Sequence, residues 1–237
     1  MDRAPASSSS GEPPSGGSGL GDLVPAVELP RGGGALRGIG ESFSANAVTG
    51  TAALTIPVFT SPSRALTPSV ALGYDSGAGN GLFGLGWQAS VPSVRRKTER
   101  GLPRYDDVHD SDVFVLSEAE DLVPWLEQDG EAWVHPVIAE ADHDVHRYRP
   151  RVEGAFARIE RWVERATSRS HWRVWSRDNV LSIFGEDPQA RIAHPRHPER
   201  VFEWLLERVQ DDRGNITRFS YKAEDLAGVE PSLPYEA

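Results

Sequence analysis

Three short runs carry the residue types that chemistry needs. Glu118-Ala119-Glu120 has the bare E-x-E spacing of ADP-ribose transfer, in which one carboxylate activates the acceptor and the other orients the nicotinamide ribose. No aromatic-Arg or Ser-Thr-Ser context precedes it, so it reads as a solvated loop. Asp142-His143-Asp144-Val145-His146 has metal-ligating types at close spacing, and Asp106, Asp107, Asp110 and Asp112 become partners if that acidic segment folds back. Strand alternation sets His143 opposite Asp142, Asp144 and His146. No second His pair stands at zinc spacing, and the Asp cluster lacks the loop glycine of an EF-hand, so this run reads as an exposed turn. Gly79, Gly81 and Gly84 spell G-x-G-x-x-G, a dinucleotide fingerprint if a strand precedes it and a helix follows. Val70, Leu72 and Tyr74 supply the strand by alternation. The helix fails, because Trp87, Ala89 and Val91 continue in period two and Pro92 then breaks any first helical turn.

Other routes to chemistry are thinner. Trp162, Trp172 and Trp175 are candidates for sugar stacking, but Trp172 and Trp175 are three apart and so face opposite sides of one strand. Most of the seven Trp residues are expected in a core or wall. There is no cysteine and no serine in a G-x-S-x-G context, which removes disulfides, thiolate metal sites and the usual covalent hydrolases. The sequence therefore predicts no catalytic, cofactor-binding or metal-binding residues, no cofactor, and a chain that is not an enzyme. A carbohydrate or cell-surface binding β-domain is the alternative reading, and an acidic, His-containing metal site is the third.

What must be positioned is mostly backbone. Gly73, Gly77, Gly79, Gly81, Gly84 and Gly86 fall within fourteen positions, punctuated by Tyr74, Phe83 and Trp87. Such density permits positive φ and close chain approach, while the rings need apolar cover. The segment reads as a tight structural loop between two strands.

Around it the texture is β. Residues 53–58 alternate Leu54, Ile56 and Val58 against Thr55 and Pro57, and the proline places that strand at an edge or a strand end. Short β-branched and aromatic runs follow at 113–116, 122–126, 133–138, 156–163, 171–175 and 180–184. Asp129-Gly130, Glu153-Gly154, Asp178-Asn179 and Gly185 to Pro188 separate them. Residues 198–209 fit either helix or strand; Asp211-Asp212-Arg213-Gly214-Asn215 and the alternation after it favour a hairpin, with Gly214 and Asn215 in the positive-φ positions.

Length and composition set the frame. The 237 residues are 38% hydrophobic, enough for a real core, and the net charge of −10 is local. The stretch 105–146 holds thirteen Asp or Glu and no Lys or Arg. It repels phosphate, and only Arg95, Arg96 and Lys97 cluster basic charge, so no nucleic-acid partner is expected. Nothing approaches a membrane span, and the first residues lack the apolar segment of a conventional signal peptide. Ser, Gly and Pro fill 19 of the first 34 positions, which predicts a disordered leader over 1–28 ahead of a β-domain over 29–237.

Several motifs in this order resemble one family. They are Leu29-Pro30-Arg31-Gly32-Gly33-Gly34-Ala35-Leu36-Arg37-Gly38-Ile39-Gly40-Glu41, Asn46-Ala47-Val48-Thr49-Gly50-Thr51, Tyr74 to Gly81, Phe83-Gly84-Leu85-Gly86-Trp87 and Gly101-Leu102-Pro103-Arg104-Tyr105. Together they resemble the SpvB-type N-terminal domain that begins the B components of insecticidal toxin complexes (Tc toxins) and the SpvB virulence proteins. Asp211 to Asn215 is similar to the turn of RHS/YD repeats.

The resemblance implies a mainly β fold of antiparallel strands and hairpins forming part of an RHS-like shell wall. It also implies a non-catalytic structural role in a container that encloses and delivers a toxic polypeptide. The implied partners are the remainder of the B component and the C component, with the A component reached indirectly. The ADP-ribosyltransferase module of SpvB proteins would lie after this region, and the chain would be a partial member. Synthesis in the bacterial cytoplasm and release without a conventional signal peptide are the matching expectations.

Overall fold

The computed structural model describes residues 41–222 apart from 46–48, 63–65, 82, 100, 118–120 and 155. The leader expected over 1–28 and the Glu118/Glu120 pair lie outside the described residues. The described chain is built of antiparallel strands, as the turn and alternation pattern predicts.

A small sheet comes first. It contains β1 (Ser42–Ala45), β2 (Ala52–Val58) and β3 (Val70–Asp75). A nested hairpin of β4 (Asn80–Gly81) and β5 (Gly84–Leu85) then leads into β6 (Trp87–Ala89), and the sheet order is β1-β2-β3-β6. Pro57 sits beyond the residues of β2 that β1 pairs, so the missing N–H leaves the ladder intact at a strand end.

The glycine loop is thus an excursion between paired strands, with no helix after it. Its glycines are there because nothing larger fits: a Cβ on Gly81 would stand 2.0 Å from the Trp87 carbonyl oxygen. Gly86 has φ +79, and a Cβ there would meet the Tyr74 ring at 2.6 Å. That close approach lets the Tyr74 and Trp87 rings pack at 5.2 Å, and Asp75 N–H donates to Gly86 O at 2.9 Å.

The rest is one large sheet that closes on itself. Its strands are β7 (Ser93–Arg96), β8 (Phe114–Leu116), β9 (Asp121–Pro124), a protruding ribbon of β10 (Glu127–Asp129) and β11 (Ala132–Val134), and β12 (Val137–Glu140). They continue with β13 (His143–Pro150), β14 (Arg158–Glu164), β15 (Ser170–Trp175) and β16 (Leu181–Phe184). The last are β17 (Arg191–His194), β18 (His197–Gln210) and β19 (Ile216–Arg218). Neighbours run β13-β14-β15-β16-β18-β7-β8-β9, and β9 pairs back onto β13 through Leu122 opposite Pro150 and Pro124 opposite Tyr148. Eight antiparallel strands therefore form a closed barrel.

A barrel of that size has room only for side chains. Each strand supplies at least one: Val94, Phe114, Leu122, Tyr148, Ile159, Trp172, Phe184 and Trp204 form a continuous buried core. Phe114 sits at its centre, 5.0 Å from the Trp172 ring and 5.8 Å from both Tyr148 and Trp204.

Residues 198–209 are strand throughout, inside the fourteen-residue β18, which pairs with β7, β16, β17 and β19. The hairpin reading holds, with one correction to its turn. Gly214 takes the positive φ of +84, whereas Asn215 works through its side chain, donating from Nδ2 to Asp211 Oδ2 at 2.7 Å. Two other expectations shift. The run 133–138 is broken at His135-Pro136 into β11 and β12, and Asp142–His146, read as a turn, enters strand β13 at His143.

Candidate functional site

The chemistry-bearing residues gather at one mouth of the barrel. The segment between β7 and β8 brings Asp107 and Asp112 over two arginines that point inward, Arg96 on β7 and Arg161 on β14. Arg96 is 1% exposed and Arg161 5%. Arg96 Nη1 donates to Asp107 Oδ1 at 2.6 Å and to Asp112 Oδ2 at 2.8 Å, its Nη2 donates to Asp107 Oδ2 at 2.8 Å, and its Nε donates to Val201 O. Arg161 Nη2 donates to the same Asp107 Oδ2 at 2.5 Å. Both guanidinium groups lie over the Phe114 ring, at 5.0 and 5.3 Å. One carboxylate thus bridges two buried cations.

Burial opposes charge on both partners. The hydrogen bonds and mutual attraction prevail, holding the Asp107 carboxyl below its ordinary value and raising Arg96. The loop that delivers the carboxylates is itself pinned: Asp112 accepts from Arg104 N–H and Tyr105 N–H, each at 2.9 Å. Tyr105 and Asp110 adopt positive φ of 59° and 46° to make the turn. Asp110 lies beside His135, whose hydrogen bond holds that carboxyl low, and beside the Tyr148 hydroxyl.

A second set runs along the outside of the barrel over β13, β14 and β15. His143, Trp162 and His171 form ring contacts of 5.6 to 6.0 Å. Arg173 stacks on Trp162 at 3.8 Å, and Arg158 on Trp175 at 3.9 Å. His171 Nε2 accepts from Arg173 Nε at 3.0 Å, which requires that nitrogen to be unprotonated. Glu186 at 3.9 Å would favour the charged ring, but burial first and the Arg173 charge second win, and the His171 pKa falls to about 3. Burial also lowers His146.

This has a consequence for stability against pH. The unfolded chain takes up a proton on His171 near pH 6.5, while the folded chain refuses it until about pH 3. Stability should therefore fall as pH drops through 6.5, by up to about 1.4 kcal/mol per pH unit, with His146 adding in the same direction. Urea midpoints at pH 7.5 and 5.5 check this: the loss should be clear in the parent chain and smaller in His171→Gln. Equal losses in both would sink the assignment.

The sequence candidates disperse. Asp106 pairs with His109, and Asp107, Asp110 and Asp112 pair with arginines, His135 and Tyr148, so the acidic segment does fold back, but onto cations. Asp144 pairs with Arg165. Among the described residues, no three His, Asp or Glu side chains converge as a metal cluster would. Arg96 of the basic trio is buried, and Lys97 pairs with Asp121 at 2.7 Å. Trp172 and Trp204 are fully buried, whereas Trp133 is 66% and Trp125 44% exposed, so the expectation that most tryptophans line a core is only partly met. Arg161 was missed. Its signal was an arginine in phase with Ile159 and Val163, on the face that alternation turns inward.

An all-antiparallel β module with a filled barrel, a side sheet and a glycine-tryptophan loop is the class that this geometry defines. The chain belongs to the SpvB family: the family model described as Salmonella virulence plasmid 65kDa B protein matches residues 46–237. A mono(ADP-ribosyl)transferase SpvB from Salmonella typhimurium is 35% identical over 216 residues, covering 88% of this chain and 34% of that protein. The solved N-terminal domain of effector protein SpvB from Salmonella typhimurium strain LT2 matches 76% of this chain and 57% of that one, at 33% identity and TM-score 0.65. A crystal structure of TcdB2-TccC3 matches 88% of this chain and 10% of its own, at 37% identity and TM-score 0.67. The chain is thus a Tc/SpvB-type virulence domain. It spans about a third of the curated relatives it matches.

One expectation is overturned here. The sequence reading made the chain a non-enzyme, yet its curated relatives are named as mono(ADP-ribosyl)transferases. That reading rested on the lack of a convergent catalytic set within this chain and on a resemblance that sets the transferase module after it, whereas the name belongs to proteins of which it matches only 34%. Among the described residues, no helix is long and apolar enough to cross a membrane.

Proposed function

We propose that this chain is a wall domain of a Tc-type or SpvB-type shell, the container that encloses a toxic polypeptide and delivers it. Its direct partners are then the remainder of a B component and a C component, with an A component engaged through the B component. Release from the producing cell would proceed without a conventional signal peptide. The observation that carries the reading is the match of 88% of the chain, at 37% identity, to 10% of one chain in the TcdB2-TccC3 crystal structure. The barrel suits the role, because a closed, side-chain-filled cylinder is a rigid block that needs no further partner to complete its own core.

A chimera tests it. Residues 46–237 replace the matching slice of TcdB2, and the product is co-expressed with TccC3. The expected result is a closed assembly in electron micrographs that shields the C-terminal hypervariable region from added protease. A chimera that folds but leaves that region as sensitive as free TccC3 would overturn the reading.

A further inference from the structure

The ribbon β10–β11 and the neighbouring strand β12 are the part of the molecule whose surface the barrel does not explain. All six residues of the ribbon are exposed on both faces. A two-stranded ribbon with water on both sides is marginal by itself. This one nevertheless carries Trp133 at 66% exposure and Val134 at 39%, with Trp125, Leu126 and Val137 at 44, 46 and 54% around its base. The base is fixed: Trp125 N–H and His135 Nε2 both lie 2.9 Å from Arg147 O, on the edge of β13 that β9 and β12 share. Among the described residues β12 pairs only with β13, and its other edge presents backbone donors and acceptors.

Charge singles out the same place. Within the acidic run, Asp106, Asp107, Asp110, Asp112, Asp121 and Asp144 all have basic or histidine partners. Glu127, Asp129, Glu131, Glu140 and Asp142 form no ion pair among the described residues, and all five lie on the ribbon, on β12 or in the turn after it. Register sets Trp133 with Gln128 on one face of the ribbon and Val134 with Glu127 and Asp129 on the other. One thin ribbon thus carries an exposed tryptophan and unpaired carboxylates together, which matches a partner of opposite sign that also brings aliphatic side chains.

We propose that the ribbon and the free edge of β12 form a docking surface for an extended, lysine- or arginine-bearing segment of another protein. That segment adds to β12 as a strand, covers Trp133 with its aliphatic side chains, and meets the carboxylates with its basic ones.

The test uses the whole chain and a synthetic peptide alternating valine with lysine, followed by calorimetric titration. The lysine peptide should bind, with affinity falling from 0.05 to 0.5 M salt, and a valine-glutamate peptide should not. Trp133→Ser and the double change Glu127→Lys with Glu131→Lys should each weaken binding at least about tenfold while leaving the melting temperature unchanged. Reversing two remote exposed carboxylates, Asp178→Lys with Asp212→Lys, should leave it intact. The proposal fails if the lysine peptide does not bind, if the remote reversal weakens it as much as the ribbon reversal, or if a valine-serine peptide binds equally well. It also fails if sedimentation shows the chain dimerising through Trp133, since a second copy would then be the occupant.

Discussion

Asp107→Ala should lower the melting temperature by about 6–20 °C, the equivalent of about 3–5 kcal/mol in a chain of this size. The size of the effect comes from what is left behind. Arg161 would keep a 3.4 Å contact with Ser170 Oγ, the Tyr148 hydroxyl and the Phe114 ring but no carboxylate, and its Nε already has no partner. Arg96 would lose its bidentate acceptor and keep Asp112 and the Val201 carbonyl. Removing one member of a buried charge cluster strands the others, which costs far more than the net worth of the pair. Because the groups are shielded from solvent, 0.5 M salt should change the loss little. Calorimetry of the variant, with Asp178→Ala as an exposed control paired at 4.0 Å to Arg177, decides it. A drop below about 2 °C would mean that the bridge contributes nothing to folding.

Trp204→Ala should cost about 3–5 kcal/mol by emptying the barrel where its rings meet. Trp204 is fully buried, its ring lies 6.0 Å from Trp172, and its indole N–H donates to Ser170 O at 2.8 Å. The Gly185 backbone packs so tightly on it that a Cβ there would come within 2.5 Å. A void bounded by closed strands cannot collapse readily. The urea midpoint should fall with little change in slope, and a loss under about 1 kcal/mol would show that the neighbouring rings can refill the space. The two substitutions should not add, since Arg96 lies 5.5 Å over the Trp204 ring and both perturb it.

How much of this was legible in the sequence differs by scale. Turns were readable because Gly, Asn and Asp announce the backbone angles they serve: Gly130, Gly185, Gly214 and Asn179 all take positive φ. The glycine loop was readable for the same reason. Strand β13 was not, because its inward face carries Asp144, His146 and Tyr148 in place of aliphatics, and a polar inner face erases the alternation that marks a strand. Closure was also invisible. It depends on β18 meeting β7 and on β9 meeting β13, pairings that leave no local signal. The acidic run looked like solvated surface; Asp107 and Asp112 turn inward because Arg96 and Arg161 stand at barrel-facing positions.

The seam between β7 and β18 also governs the order of events during synthesis. Ser93 donates to Glu203 across 110 residues of chain, so β7 leaves the ribosome long before the strand that covers it exists. At about 5–20 residues per second, Val94 and Phe114 wait roughly 5–20 s without their final neighbours. During that interval Val94 and the Phe114-Val115-Leu116 strand stay without the cover that β18 later gives them, and slower synthesis towards Trp204 lengthens their exposure.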